Sequence, residues 1–276
     1  MPTQREKALA FRALHQRDGA FIIPNPWDTG TARMLSSMGF EALATTSAGF
    51  AFSMGRLDYG LDRQQVLAHL ASMVAATSLP VSADLENGFG DEPEVAAETI
   101  RLAASAGVVG GSIEDATGRT AQPIYELAQA VDRVRAAAEA AHALAFPFTL
   151  TARCENYLVG RADLRDTIRR LQAYQEAGAD VLYAPGIICK EDIAALVSSV
   201  DRPVNVLMGL EGVRLDRAEL ARIGVKRISV GSALSRAALG AFLSAASEMR
   251  DQGTFSFVDR AASSAEIGAL LKNVEA

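Results

Sequence analysis

The chain has 276 residues, 49% of them hydrophobic and 22% charged, with a formal net charge of −6 and two cysteines. That length buries a full core, the acidic balance and missing basic patches exclude nucleic-acid binding, and no apolar run reaches the roughly 18 residues of a membrane span. Two cysteines make no disulfide framework and the polar start, Met1 to Lys7, is no signal peptide, so a cytoplasmic location is expected.

A helix is predicted over 4–17, then an apolar strand over 21–25. Asp28 caps a helix that ends near Gly39, and a second strand, 42–46, runs into small residues through Gly49. A helix from Asp62 to residue 78 is stopped by Pro80. Strand 81–86 leads to helix 92–106, closed by Gly107. Strand 109–114 precedes a long alanine-rich helix, 123–145, stopped by Pro147. Strand 148–153, helix 163–177, strand 181–184 and helix 190–200 follow. Strand 204–208, helix 216–223, strand 227–230 and helix 232–252 complete the alternation, and a last helix is predicted over 263–273. Caps at the starts and glycine or proline stops agree with the apolar periodicity.

Eight strands alternating with helices read as an α/β chain, a single (β/α)8 TIM barrel over 1–276 with an extra N-terminal helix and extra C-terminal helices. The other candidate, a doubly wound sheet, lacks a Gly-x-Gly-x-x-Gly turn after an early strand. Barrels carry their chemistry at the carboxyl ends of strands, so position on the strand ranks the candidate residues.

Asp84 and Glu86 end the third strand two residues apart, and such residues face one side of a strand. Glu114 ends the fourth. Three neighbouring carboxylates repel one another unless a cation intervenes, and Mg²⁺, hard and oxygen-seeking, suits them, with Mn²⁺ as a substitute. The plain alternative is that these acids are helix caps or ion-pair partners. Arg153 ends the fifth strand, where a guanidinium is costly unless it meets an anion. A substrate carboxylate or phosphate fits it, and so does charge balance with Glu155 or Glu114. In the turn Ser47-Ala48-Gly49, small residues let backbone N–H groups approach an anion, although a plain turn reads the same way. Asn205 and Tyr183 are candidate pocket residues. Asp58 taken alone is a loop carboxylate. His15, His69 and His142 lie in helices away from strand ends, and Cys154 should point away from Arg153 into the core.

From Asn25 to about Asp259 the chain resembles the isocitrate lyase/phosphoenolpyruvate mutase superfamily. The motif Asp84-Leu85-Glu86-Asn87-Gly88-Phe89-Gly90 is similar to its Asp-x-Asp-x-Gly-[Phe/Tyr]-Gly signature, with glutamate in place of the second aspartate. Ile113-Glu114-Asp115, Ala152-Arg153-Cys154, Ser47-Ala48-Gly49 and Asp58 match further motifs. The resemblance implies a Mg²⁺ enzyme binding a small 2-oxo or 2-hydroxy acid and working through an enolate. On that likeness Asp84, Glu86 and Glu114 hold the metal, and Arg153, Asp58 and Glu114 act in catalysis. Ser47, Ala48, Gly49, Arg153, Asn205 and Tyr183 bind the substrate. It also implies a homotetramer or dimer, with a C-terminal helix swapped between subunits. The isocitrate lyases carry Lys-[Lys/Arg]-Cys-Gly-His after the Glu-Asp strand. Here that loop is Ala116-Thr-Gly-Arg119-Thr-Ala-Gln-Pro123, with no cysteine, lysine or histidine. The mutase-type gating loop is missing as well. A carbon–carbon lyase or decarboxylase is therefore the expected reaction, with Tyr59 or a water held by Asp58 as the acid and Arg119 closing onto a distal carboxylate. A phosphonopyruvate-forming mutase, a P–C hydrolase and a non-catalytic oxo-acid binder are the alternatives.

Overall fold

Each apolar run of the sequence becomes a short strand, and each capped amphipathic stretch becomes a helix. The computed structural model describes residues 1–272. In chain order its elements are α1 (Gln4–Gln16), β1 (Phe21–Ile23), α2 (Thr29–Ser37), β2 (Leu43–Ala44), α3 (Ser47–Ser53), α4 (Arg63–Ala75), β3 (Val81–Asp84), α5 (Pro93–Ser105), β4 (Gly110–Glu114) and α6 (Leu127–His142). There follow β5 (Thr149–Arg153), α7 (Leu164–Glu176), β6 (Val181–Tyr183), α8 (Lys190–Ser198), β7 (Val204–Leu207), α9 (Arg217–Arg222), β8 (Arg227–Ser229), α10 (Ala233–Gln252) and α11 (Ser264–Lys272). Asp28, Asp62 and Asp216 form the capping boxes that start α2, α4 and α9, each satisfying otherwise orphaned N–H groups.

The strands form one eight-stranded sheet in the order β1-β8-β7-β6-β5-β4-β3-β2, and every pair is parallel. Between β1 and β2 the barrel closes through one backbone bond and one side chain. Ala44 N–H donates to the Pro24 carbonyl at 3.1 Å. The buried Asn25 donates to the Thr45 carbonyl at 3.0 Å and accepts from the N–H groups of Val230 and Gly231, both at 2.9 Å. One amide side chain thus joins the ends of three strands.

Strand residues alternate between two environments. On β5, Leu150 and Ala152 pack outward under the helices, with Cys154 just beyond the strand. Thr151 and Arg153 face inward among polar groups. The barrel interior is polar, lined by Ser82, Ser112, Asn205, Arg227 and Ser229, where barrels of this kind carry branched aliphatic layers. Its floor is plugged by α1. A Cβ added at Gly110 would stand 2.9 Å from both Phe11 Cε1 and the Thr149 carbonyl oxygen, so glycine there makes room for the Phe11 ring. His15 sits edge-on between Phe11 and Phe21. Its Nδ1 donates to the Phe11 carbonyl at 2.9 Å, which leaves Nε2 as an acceptor.

All eight predicted strands and the helices between them are present, with differences that have physical causes. Strand 81–86 stops at Asp84, because Glu86 (φ 49°), Gly88 (φ 81°) and Phe89 (φ 63°) take left-handed backbone. Helix 123–145 begins only at Leu127, because Ala116 and Ile124 pair across an antiparallel bridge and Tyr125 N–H bonds the Asp115 carbonyl. The small residues after β2 form α3, a helix not predicted. The predicted end of the last helix, Asn273, lies outside the described residues. No helix of the described residues is long and apolar enough to cross a membrane. α11 packs against α2 of the same chain, while α10 buries only Ser235.

Burial, followed by the charge of Arg227, pushes His15 down to about 3 from its ordinary 6.5. As pH falls below 6.5 the unfolded chain takes up this proton, and the folded chain does not until about pH 3. Stability is therefore lost as pH falls through that window, by up to about 1.4 kcal/mol per pH unit for this one group. His15→Gln should flatten the acid limb between pH 6.5 and 3 in denaturant titrations run at a series of pH values. Equal slopes in variant and wild type would remove His15 from that limb.

Candidate active site

Carboxyl ends of β3, β4 and β5 meet at one guanidinium. Arg153 NH1 donates to Asp84 Oδ1 at 2.8 Å, NH2 lies 3.1 Å from Glu114 Oε2, and Nε donates to Glu155 Oε1 at 3.0 Å. The register explains the meeting: Glu114 pairs with Arg153, and Arg153 with Tyr183. Burial disfavours the guanidinium's charge, but Glu114, Glu155 and Asp84 outweigh it and hold Arg153 above its ordinary range. The Tyr183 ring centroid lies 5.3 Å from the Arg153 Cζ, a cation–π contact, and burial raises the Tyr183 phenol to about 12.

Asp84 joins this cluster to the turn after β2. Its Oδ2 accepts from Ser47 N–H at 3.0 Å, and its own N–H donates to Thr45 Oγ at 2.9 Å. Ser47 and Ala48 line the mouth cavity together with Asp58, Asp84, Arg153, Tyr183 and Asn205. Gly49 does not. Its N–H is bonded to Thr46 Oγ at 3.2 Å, and a Cβ there would meet Thr46 Cγ2 at 2.6 Å and Trp27 Cβ at 3.1 Å. This glycine serves close packing behind the cavity.

Glu86 also departs from the simple strand reading. Its left-handed backbone breaks the alternation, and its side chain lines an adjoining 540 Å³ cavity with Tyr59, Asn87 and Gly118. Burial first, then Asp84 and Asp58, push its carboxyl up to about 8. Glu114 is buried and pushed well above the ordinary range by desolvation, and it accepts a short hydrogen bond from the Tyr59 hydroxyl. Burial and Glu114 in turn raise the Tyr59 phenol, keeping it protonated. Asp58, at the rim, is raised by desolvation and then by Asp84. Tyr59, Glu86 and Phe89 are the non-glycine residues with positive φ among those described, and all three line that adjoining cavity. Strained backbone of that kind concentrates at functional sites.

Two supporting groups, Asp115 and Arg133, escaped the sequence reading, and a third, Glu155, did not. Glu155 was considered only as a partner for Arg153, and it is one. Asp115 lies behind it, accepting from Glu155 N–H at 2.8 Å, from Tyr174 at 2.5 Å and from Arg170 at 3.3 Å. Arg133 is buried under the signature turn and donates to the carbonyls of Asn87, Gly90 and Asp91. The available signal was its place on α6, three residues after Ala130 and four before Ala137 on the buried stripe. Arg119 does not reach the cavity. It pairs with Asp91 at 2.7 Å on the surface, and so holds the 116–125 loop to the outer side of the turn. Cys154 is buried among apolar side chains as expected, and desolvation raises its thiol.

Arg153→Met would leave three carboxyl groups without their cation, at a cost of about 3–5 kcal/mol. Chemical denaturation should show that loss, and adding Glu114→Gln should recover part of it by removing one of the stranded acids. No recovery would mean that the arginine acts through packing alone.

Comparison with known proteins places this geometry. Residues 11–250 match the family described as phosphoenolpyruvate phosphomutase. A crystal structure from Burkholderia cenocepacia J2315, named only as a lyase/mutase, superposes with a TM-score of 0.94 at 65% identity, covering 96% of this chain and 95% of that one. The oxaloacetate decarboxylase of Chromohalobacter salexigens is 28% identical, over 91% of this chain and 88% of the relative. A 2,3-dimethylmalate lyase structure shares 26% identity with a TM-score of 0.84, covering 98% of this chain and 95% of that one.

Proposed function

Because the chain belongs to the isocitrate lyase/phosphoenolpyruvate mutase superfamily, we propose that it is a Mg²⁺-assisted carbon–carbon lyase of a small 2-oxo dicarboxylic acid, with decarboxylation as its leading reaction. The observation that carries this reading is the Arg153 cluster, set beneath a loop that holds no cysteine, lysine or histidine. Loss of CO₂ from a 3-carboxyl group needs an electron sink at the oxo group and little else from the protein. The likeness to an oxaloacetate decarboxylase over nearly the whole chain agrees with it.

The residues fit a divalent cation. Asp58, Asp84, Glu86, Glu114 and Glu155 crowd one guanidinium, and burial raises the carboxyls of Asp58, Glu86, Glu114 and Glu155. Among the described residues no three His, Cys, Asp or Glu side chains converge as a ready ligand set. A Mg²⁺ ion here would therefore be held by few carboxylates and largely through its own waters. Asp84 would hold the ion, with Glu86 and Glu114 completing its shell, and Mn²⁺ fits the same oxygens. The bound ion supplies Lewis-acid polarisation of the substrate's oxo group.

Arg153 uses three of the five N–H groups of a guanidinium on its carboxylates. The others are free to receive the substrate's carboxylate and the oxygen on which negative charge develops. As the bond to the departing carboxylate breaks, its electron pair passes into the enolate, and CO₂ leaves. Carbon 3 then takes a proton, for which Tyr59 is the source at the mouth, and solvent replaces that proton. Asp58, beside Tyr59 at the rim, holds the water. Asn205 and Tyr183 form the inner wall.

Purified enzyme should release CO₂ from oxaloacetate with Mg²⁺, and EDTA should stop it. Asp84→Ala should lower kcat by about 100-fold or more, and Tyr59→Phe by about 100-fold with little change in KM. Turnover of phosphonopyruvate with oxaloacetate inert, read by ³¹P NMR, would move the assignment to P–C chemistry. Binding of oxo acids with no turnover would make the chain a binder.

The same reading extends to assembly. Phe242 and Leu243 on α10 are 65% and 61% exposed, and Phe255 and Val258 continue the apolar face. Such a face is covered in oligomers, and we propose that a second copy covers it in a homodimer or tetramer. Light scattering should show an oligomer that Phe242→Glu with Leu243→Glu converts to monomer. A monomeric wild type would sink this part.

A further inference from the structure

Arg227 stands in the barrel interior without a carboxylate. The buried side chain donates from Nε to Asn205 Oδ1 at 3.0 Å and from NH2 to Thr151 Oγ at 2.9 Å, and NH1 lies 3.5 Å from His15 Nε2. All three partners are neutral, since His15 is bonded through Nδ1 to a carbonyl and offers only a lone pair. Other buried arginines are compensated. Arg153 has three carboxylates, Arg170 has Asp115 and Asp166, and Arg133 has three backbone carbonyls. Among the described residues no carboxylate lies within ion-pair distance of Arg227, whose charged neighbour is Arg153. An uncompensated buried charge is expensive.

Arg227 also borders open space. It lines the same 170 Å³ cavity as Arg153, together with Ser82, Ser112 and Ser229. Thr151, which it contacts, lies two residues below Arg153 on β5, about 7 Å down the strand. The cavity is thus a shaft with acids at its mouth, where Ser112 lies 3.5 Å from Asp84, with Ser229 bonded to Asn205 along its wall, and with one cation lacking a carboxylate at depth. We propose that the lower shaft is an anion subsite, in which Arg227 and the serine hydroxyls hold one small monovalent anion: a carboxylate of the substrate reaching below Arg153, or a free halide or formate-sized ion. The first source rests on the oxo-acid reading above, and the second does not. The site selects for size and single charge. A 170 Å³ volume admits few atoms, and its neutral hydroxyls complete the coordination that a planar guanidinium begins.

The first test is run in EDTA, so that it is independent of any metal or turnover. Chloride and sodium formate are titrated against gluconate at constant ionic strength, and the thermal midpoint is read. Wild type should show a saturable rise with both small anions, since a ligand of the native state alone must raise it. Arg227→Gln should lose the rise. If that variant does not fold, Arg227→Lys and bromide-soaked wild-type crystals replace it. The lysine should keep a weakened rise, and an anomalous peak should lie in the shaft against the Arg227 guanidinium. A flat titration together with an empty shaft would overturn the proposal, as would an undiminished rise in Arg227→Gln. A second arm identifies the source, using malonate with Mg²⁺. If a substrate carboxylate occupies the subsite, chloride competes with malonate and Arg227→Gln weakens malonate about tenfold or more. If an inorganic ion occupies it, malonate and chloride bind together. Failure of malonate to bind at all, with the chloride rise intact, would count against the oxo-acid reading and leave the subsite standing.

Discussion

One guanidinium decides the form of the barrel mouth. Asp84, Glu114 and Glu155 come from three consecutive strand ends and would repel one another at these separations. Arg153 lies among them and converts a repulsive cluster into a bonded one. The consequences reach outward. Asp84 can then accept from Ser47 N–H and fix the start of α3, and Glu114 can accept from Tyr59 and fix the loop above. Glu155 is aimed by its own backbone bond to Asp115, which is set by Arg170 and Tyr174. The compensation is partial, three carboxylates against one cation. Glu86 and Asp58 add two more carboxyls, both raised by burial and by Asp84, and the proposed divalent ion would relieve that crowding.

Reading that order from the sequence was feasible for the strand ends, because a strand places every second residue on one face. Asp84, Glu114 and Arg153 terminate β3, β4 and β5 as their apolar runs imply. The same rule failed at Glu86. The alternation argument requires extended backbone, and the turn Glu86 to Phe89 is left-handed. Only the glycines of that turn hint at this. Gly49 failed for a related reason: a small residue signals a close approach, but not whether the approaching group is a ligand or, as here, Thr46 and Trp27. Arg133 and Arg227 were missed because buried arginines break the apolar pattern in the way a surface residue does. Arg133 is distinguished only by its position on the buried stripe of α6, and Arg227 only by opening a strand whose neighbours are also polar inside.

The 116–125 loop is characterised by what it contains and where it is held. Arg119 is tied to Asp91 and stands near the Tyr125 ring, whose hydroxyl also bonds Asp91 at 2.6 Å. Tyr125 in turn stacks on Arg133, which organises the signature turn. Loop and turn are therefore one unit, and a movement of Arg119 toward the cavity would have to give up the Asp91 pair. That pair is exposed on both sides, so the cost is small. Closure by Arg119 is thus affordable in energy, whereas acid–base work by this loop is not available, because it has no side chain that titrates near neutral pH.

The polar interior gives this argument its last step. A barrel filled with branched aliphatic side chains presents its ligand only with a rim. Here polar side chains continue below Arg153: Arg227 bonds Asn205 and Thr151, and Asn205 bonds Ser229. Hydrogen bonds keep such a column ordered when it is satisfied, yet they do not cancel the charge at its base. On the proposed reading, a substrate with two carboxylates and an oxo group would meet a matching vertical pattern: Arg153 and the acids proposed to hold a metal at the mouth, and the Arg227 guanidinium at depth. Selectivity for a dicarboxylate over a monocarboxylate would then come from the electrostatics of the strands themselves and not from the 116–125 loop.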